Sequence, residues 1–528
     1  MDRLSQLYRW LFDSRDGAGN CLVARWLFLR ALGAIYFSAF FSLVFQIKGL
    51  IGPRGILPAQ SYLAWAAHSA VAIRYWSVPS LFWLSADSHM LMAVMWIGLL
   101  ASVLVFFNVS PRLNLLICFL CFLSFVAVAG DFSGYQSDGM LLEAGFLALF
   151  FAPPGVLPGY GADHPPSRAS LFLLLWEWFR IYFESGMVKI LSGDPQWRNL
   201  TAMDGYYQNS PLPTWIGWYV AHLPHWFHAT TVVMTLLLEF VVVLMLFFPR
   251  RVRVACFWIV TPWQIGVILT GNYAFLNYLV AVLGFLLLDD LSIGRLIPAK
   301  FRPPLPVEEG SAEQGNDAPL RVSLHTVGVA VAAVMLTWVG YATLVEMGAM
   351  VMSRVPLPVA PVKALEPFRI ANQYGLFAVM TRGRYEIEFQ GSNDGVNWQP
   401  YLFRYKPQAL NEAPRIYAPY QPRFDWNLWF ASLGDWRQNE LVVFTEERLL
   451  SNDGDVLELF RGNPFPQSPP RYVRAVLWQY WFTSMQEKRR TGDWWRRQLL
   501  GLYAPTVTRG ADGHFGAVQI PQELPPHD

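Results

Sequence analysis

The chain has 528 residues, of which 54% are hydrophobic and only 15% charged, and its formal net charge is +2. Soluble domains carry about 25% charged residues, so a large part of this chain belongs in lipid. The small net charge, spread over short loops, excludes a nucleic-acid-binding face.

A spanning helix takes about 20 predominantly apolar residues, because each backbone polar group must be satisfied within the segment. In chain order, Trp26 to Ile47, Met90 to Phe107 and Leu113 to Ala129 meet this pattern. So do Ala169 to Leu191, Trp226 to Phe248, Val254 to Thr270, Tyr273 to Leu288 and Val322 to Val345. Gly139 to Phe151 is shorter and holds Glu143, as a half-spanning or buried helix would. The expectation is a membrane α-helical bundle of about nine transmembrane helices. Ser61 to Leu84, aromatic and broken by Arg74 and Pro79, reads as an interfacial or re-entrant stretch. The first apolar run is full length and preceded by charged residues, which predicts no cleavable signal peptide.

Short cytoplasmic loops retain Lys and Arg. With nine spans and a cytoplasmic N-terminus, most basic loop residues fall inside, Arg112, Arg168, Arg250, Arg251 and Arg253 among them. Only Lys48, Arg54, Arg74 and Arg198 fall outside, so the C-terminal region is expected outside the cytoplasm.

Residues 1–350 therefore read as the multi-pass domain, with a Pro, Glu and Gly-rich cytoplasmic linker at 291–321 that cannot bury a core. Residues 351–528 read as a soluble, β-sandwich-like extracytoplasmic domain. RYEIEFQ and QPYLFRY alternate as half-buried strands do, and GSNDGVNW between them holds the turn residues Asn393, Asp394 and Gly395. Tyr472 to Tyr503, rich in Trp and Arg, is expected to form a terminal amphipathic helix. The cysteines, Cys21, Cys118, Cys121 and Cys256, all lie before this domain, which predicts that no disulfide holds it. Cys118 and Cys121 are a CxxC within an apolar span, read as two small apolar thiols or as a redox or metal pair.

Charges within spans are costly and therefore informative. Arg30, Glu143 and Glu239 each sit in a predicted span, and Glu177, Arg180 and Glu184 share one helical face at spacings of three and four. Together they predict an intramembrane polar network. Lys189, further along the same helix, either snorkels to the surface or, desolvated, serves as a base. Asp138, Asp194, Trp197, Arg198 and Asp204 converge at the exterior mouth. His222, His225 and His228 are spread too widely around a helix to hold one metal comfortably. Phosphate-loop, nucleophile-elbow and zinc-protease motifs are absent.

Several long blocks resemble the lipase maturation factors: FLRALGAIYFSAFFSLVFQIKGLIGPRGILPA, YQSDGMLLEAGFLALFFAP, the stretch from SGMVKILSGDPQW to HLPHWFH, and GNYAFLNYL. FRIANQYGLFAVMTRGRYEIEFQGSNDGVNW, APYQPRFDWNLWFASL and NPFPQSPPRYVRA extend the resemblance through the C-terminal region. The resemblance implies a chaperone-like membrane protein, without a cofactor, that helps secreted lipases or other exported clients fold, in contact with membrane lipids. It implies the endoplasmic reticulum membrane for eukaryotic members. The lack of exterior cysteines and the compact loops point to a bacterial member in the inner membrane. Client contact would fall in the exterior domain, making Tyr385, Trp398, Arg423, Asp425, Trp426 and Trp429 candidates. A second, local resemblance links YFESGMVKILSGDPQW to the vitamin K-dependent carboxylases and their bacterial relatives. It implies the alternative of a quinol-linked enzyme with Lys189 as base, Glu143 or Asp138 nearby, and a quinone cofactor.

Overall fold

The computed structural model describes residues 3–69, 71–294, 324–352, 356–510 and 513–523. Most of the expected linker, 291–321, lies outside the described residues.

A helix forms at each expected apolar segment. Among the described residues, five are long and apolar enough to cross a membrane: Leu22–Val44, Ser88–Phe106, His225–Phe247, Arg250–Thr270 and His325–Val351. Pro111–Val126 and Leu276–Leu287 are shorter apolar helices. Arg168–Leu191 is long enough, with 24 residues, but carries the charged series. Small residues let these helices approach closely. A Cβ at Gly145 would overlap the Tyr36 hydroxyl, which donates to the Leu141 carbonyl. The helix holding Glu143, Gln136–Phe151, is buried along nearly its whole length. The aromatic stretch expected at the interface forms two short helices, Ala59–Ser69 and Arg74–Ser77, with Trp65, Tyr75 and Trp76 exposed.

Among the described residues the C-terminal region forms one antiparallel sheet rather than a sandwich of two. Its strands are β1 (Arg384–Ser392), β2 (Gln399–Pro400), β3 (Tyr472–Phe482), β4 (Trp495–Leu502), β5 (Thr506–Arg509) and β6 (Phe515–Gln519). They run in the order β2-β1-β3-β5-β6, with β4 also paired to β3. Helices Arg423–Ala431 and Glu440–Leu450 back the sheet where a second sheet was expected. The β1–β2 hairpin forms as expected: Gly395 takes φ +73°, and Asp394 accepts the amides of Val396 and Asn397 at 2.8 and 2.7 Å. Of QPYLFRY only the first two residues join a strand; Tyr401 and Phe403 turn into the core instead.

The expected terminal helix is corrected. Tyr472 to Tyr503 forms β3 and β4, joined by a short helix, Met485–Thr491. Val473, Ala475 and Leu477 are fully buried between the less buried Tyr472, Arg474 and Trp478, and β3 is the central strand on which β1, β4 and β5 all pair. Its Trp and Arg residues suggested a helical stripe, but tertiary pairing imposes the two-residue period.

Glu446 on the Glu440–Leu450 helix is fully buried against β3, and burial pushes its pKa well above the ordinary carboxylate range. A raised folded pKa means that the native state holds the proton more tightly. The stability it contributes is therefore present below the unfolded pKa, about 4.3, and is lost as pH rises above it. Glu446→Gln should raise stability at pH 7 by about 1–3 kcal/mol and flatten this dependence. Thermal unfolding at pH 5 and pH 7 checks it; a variant as pH-sensitive as the parent refutes it.

The sheet and its helices rest on one set of helix ends. Arg54, just past the short helix Ile47–Ile51 that holds Lys48, meets Asp453 and Asp455. His222 reaches the Thr483 carbonyl, and Asn272 bridges to the backbone of Arg415, Tyr417 and Ala418.

Candidate functional site

Between the last long helix and β1, residues 369–382 run as an irregular strap across the helix bundle, and the buried charges gather beneath it. Arg180, fully buried, ion-pairs with Glu143 and donates to the Asn372 carbonyl. Glu143 also accepts the Asn372 amide at 3.0 Å and the Tyr374 hydroxyl at 2.8 Å. Glu184, 4.0 Å from Arg180, takes the Tyr374 amide at 2.7 Å. A Cβ at Gly139 would meet the Asn372 side-chain oxygen at 2.9 Å, so this glycine gives the strap its seat. Further on, Ser192 and Trp197 donate to the carbonyls of Ala378 and Phe377, and Asp194 accepts the Met380 amide at 2.7 Å. An irregular segment can lie this deep only because the bundle satisfies its backbone.

The predicted network thus forms in part. Glu143, Arg180 and Glu184 meet, but the triad does not neutralise itself along one helix, because Glu143 from a neighbouring helix takes the Arg180 guanidinium. Glu177 is fully buried beside them, and its oxygens make no hydrogen bond of good geometry among the described residues. Arg30 is elsewhere, its guanidinium 3.5 Å above the Trp26 ring.

Glu239 belongs to a second centre. Lys189 neither snorkels nor stands alone: its ammonium is buried, 2.7 Å from Glu239, and donates also to the carbonyls of Ser185 and Leu376. An ammonium held by a carboxylate is in the protonation state opposite to that of a base. Asp138 and Glu143 are partnered elsewhere.

A third buried charge pair joins the C-terminal region to the helices. Arg423 grips Asp138 with two hydrogen bonds of 2.7 and 2.9 Å and donates to the Phe132 carbonyl at 2.7 Å. Asp425 turns inward, accepting the amides of Tyr405 and Lys406, and burial pushes its pKa up to about 6. Tyr385 is buried in β1, and Trp398 is half-buried beneath the Arg474 guanidinium. Trp426 and Trp429 line a cleft of about 330 Å³ between the helix ends and the C-terminal region. Its rim carries Val379, 71% exposed, and Phe430, 46% exposed, while both indole N–H groups find no acceptor among the described residues. Tyr135, Tyr273 and Phe377 complete the aromatic wall.

His222, His225 and His228 go to three different neighbours: the Thr483 carbonyl, Asp204 and the Tyr207 ring. All four cysteines are free and buried.

Residues 23–295 match the family model described as the lipase maturation factor transmembrane domain, and residues 370–505 match that of the lipase maturation factor C-terminal domain. The chain belongs to the lipase maturation factor family. It is 32% identical to lipase maturation factor 2 of Gallus gallus over 95% of this chain and 84% of that one. It is 30% identical to lipase maturation factor 1 of Bos taurus, covering 97% of this chain and 94% of the relative. With lipase maturation factor 1 of Homo sapiens it shares 29% identity, over 93% and 88% of the two chains. No solved structure matches. Both charge centres under the strap lie in the first matched segment, and the strap begins where the second does. Of this lipase maturation factor-like site, Asn372, Tyr374, Arg384 and Asn272 escaped the sequence reading. Arg384, fully buried, holds Glu386 and the carbonyls of Gln208 and Pro211. The available signal was polar side chains inside otherwise apolar runs, ANQYGLF and GNYAFLNYL.

Proposed function

We propose that this chain is a membrane-embedded maturation factor for secreted lipases or other exported proteins, and that it holds a client segment in the aromatic cleft beneath the C-terminal region. The carrying observation is the exposed apolar rim, Val379 and Phe430, above two unpartnered indole donors, Trp426 and Trp429. An extended client segment would bury its apolar side chains against the rim and the aromatic wall. The chain would cross the membrane about nine times, with its N-terminus in the cytoplasm and the cleft outside. This topology is supported by the C-terminal region resting on the helix ends that carry few basic residues. The membrane would be that of the endoplasmic reticulum in a eukaryotic host and the inner membrane in a bacterium.

The quinol-linked alternative gains no support, since Lys189 is engaged by Glu239. Coexpression with a secreted lipase, in cells lacking their own maturation factor, tests both readings. Val379→Glu with Phe430→Glu should lower the yield of active lipase about tenfold at equal membrane abundance. The paired neutral replacement Lys189→Met with Glu239→Leu should leave the yield within about twofold, because it strands no charge. If the rim variant is silent and the pair variant null, the client reading fails and membrane chemistry takes its place.

A further inference from the structure

The Lys189–Glu239 pair forms part of the wall of a cavity of about 310 Å³ between helices Arg168–Leu191, His225–Phe240 and Arg250–Thr270. The wall is mostly apolar, and several of its polar side chains spend their protons within the protein. Lys189 spends its ammonium protons on Glu239, Ser185 and Leu376. Ser185 donates to the Ile181 carbonyl, Tyr182 to Gln264, the Gln264 amide to Asn277, and Trp197 to the Phe377 carbonyl. The hydroxyls of Thr231 and Thr235 donate to their own helix. These side chains therefore offer the cavity acceptors. Glu239, more than nine-tenths buried, has one carboxylate oxygen on Lys189 and the other without a hydrogen-bond partner among the described residues. Thr231, Thr235 and Glu239 are four residues apart and line the cavity as one strip.

From these residues, the geometry points to a binding site for a neutral amphiphile that donates a hydroxyl to the Glu239 carboxylate and lays an apolar body along the Tyr206, Phe227 and Val267 wall. Neutrality follows from the pair itself. Lys189 and Glu239 already cancel, so a charged headgroup would enter an apolar cavity uncompensated. A buried acceptor left unmade is costly, and a hydroxyl satisfies it without bringing charge. The source is the membrane, because the outer faces of two of the bounding helices, His225–Phe240 and Arg250–Thr270, are exposed and apolar, at Leu237, Ile265 and Leu269 for example. Gly266 lines the cavity on an exposed stretch of its helix, and a Cβ there would meet nothing within 4 Å, so a larger side chain can be placed there without a clash. The volume lies at the lower end of small-molecule sites, about 300–1,000 Å³, enough for a ring or headgroup and the start of a chain. A quinol and a monoacylglycerol share this chemistry.

The full chain in lipid nanodiscs, photolabelled with a diazirine-bearing long-chain alcohol and mapped by mass spectrometry, tests the site. Labelling should concentrate on His225–Phe240 and Arg250–Thr270 and fall at least about tenfold in Gly266→Leu, which fills the cavity without touching the ion pair. Monooleoylglycerol or a short-tailed ubiquinol should compete, and the O-methylated form of the same compound should compete about tenfold more weakly, having lost its donor. Competition by the glyceride alone identifies a glycerolipid, and by the quinol alone a quinol; either supports the site. Uniform labelling of all lipid-facing helices, labelling unchanged in Gly266→Leu, failure of both competitors, or methyl ethers that compete equally well overturns it.

Discussion

Arg423→Ala is expected to destabilise the protein by about 3–5 kcal/mol and to loosen the C-terminal region from the helices. The substitution strands Asp138, fully buried and otherwise without a cation in hydrogen-bonding contact, at the seam between the two regions. It also removes the donor to the Phe132 carbonyl and the guanidinium 4.8 Å from the Phe125 ring. Arg423→Lys should recover little, since one ammonium cannot reproduce two parallel bonds to a carboxylate. Arg423→Gln combined with Asp138→Asn leaves no stranded charge and should regain most of the loss. Limited proteolysis and thermal unfolding of the detergent-solubilised protein check this. A single variant as resistant as the parent would show that the seam is held by apolar packing alone.

Arg180→Met should be as severe. Glu143, Glu177 and Glu184 are all buried around this guanidinium, and its loss leaves three carboxylates facing one another with the strap's Asn372 and Tyr374 as their remaining donors. A loss of about 3–5 kcal/mol is expected. Removing the Tyr374 hydroxyl alone, in Tyr374→Phe, should cost about 1–2 kcal/mol. Adding Glu143→Met to Arg180→Met should recover part of the larger loss, and the coupling measured in such a cycle reports the pair directly. Membrane abundance and unfolding temperature read both. If Arg180→Met accumulates and unfolds as the parent does, the carboxylates are satisfied by something other than Arg180.

The strap places these predictions within the proposed function. One side of it caps the buried charges of the helices, and the other, through Phe377 and Val379, forms the cleft. Damage below it should therefore reach the client surface even though no charged residue of the network lines that surface.

Composition and hydrophobic runs alone determined that the chain is a membrane protein and where its helices lie, and alternation pointed to strands in its tail, because burial in lipid imposes a pattern that local sequence must carry. Turn chemistry did the same for Asp394 and Gly395. The long ordered blocks, read as a resemblance, placed the family. Partnership could not be read that way. Glu177, Arg180 and Glu184 share a helical face, yet the decisive acceptor is Glu143 on another helix, and the decisive donors sit in a strap more than 180 residues further on. Lys189 on spacing alone was a snorkelling or basic residue; it became an ion pair only when Glu239 was brought to it. Tyr472 to Tyr503 shows the same limit, since its Trp and Arg residues suit a helix stripe until β1, β4 and β5 take up their places beside β3. Helical runs and turns are set by neighbours within a few residues, whereas charge pairing and strand register are set by whichever distant residues the fold delivers.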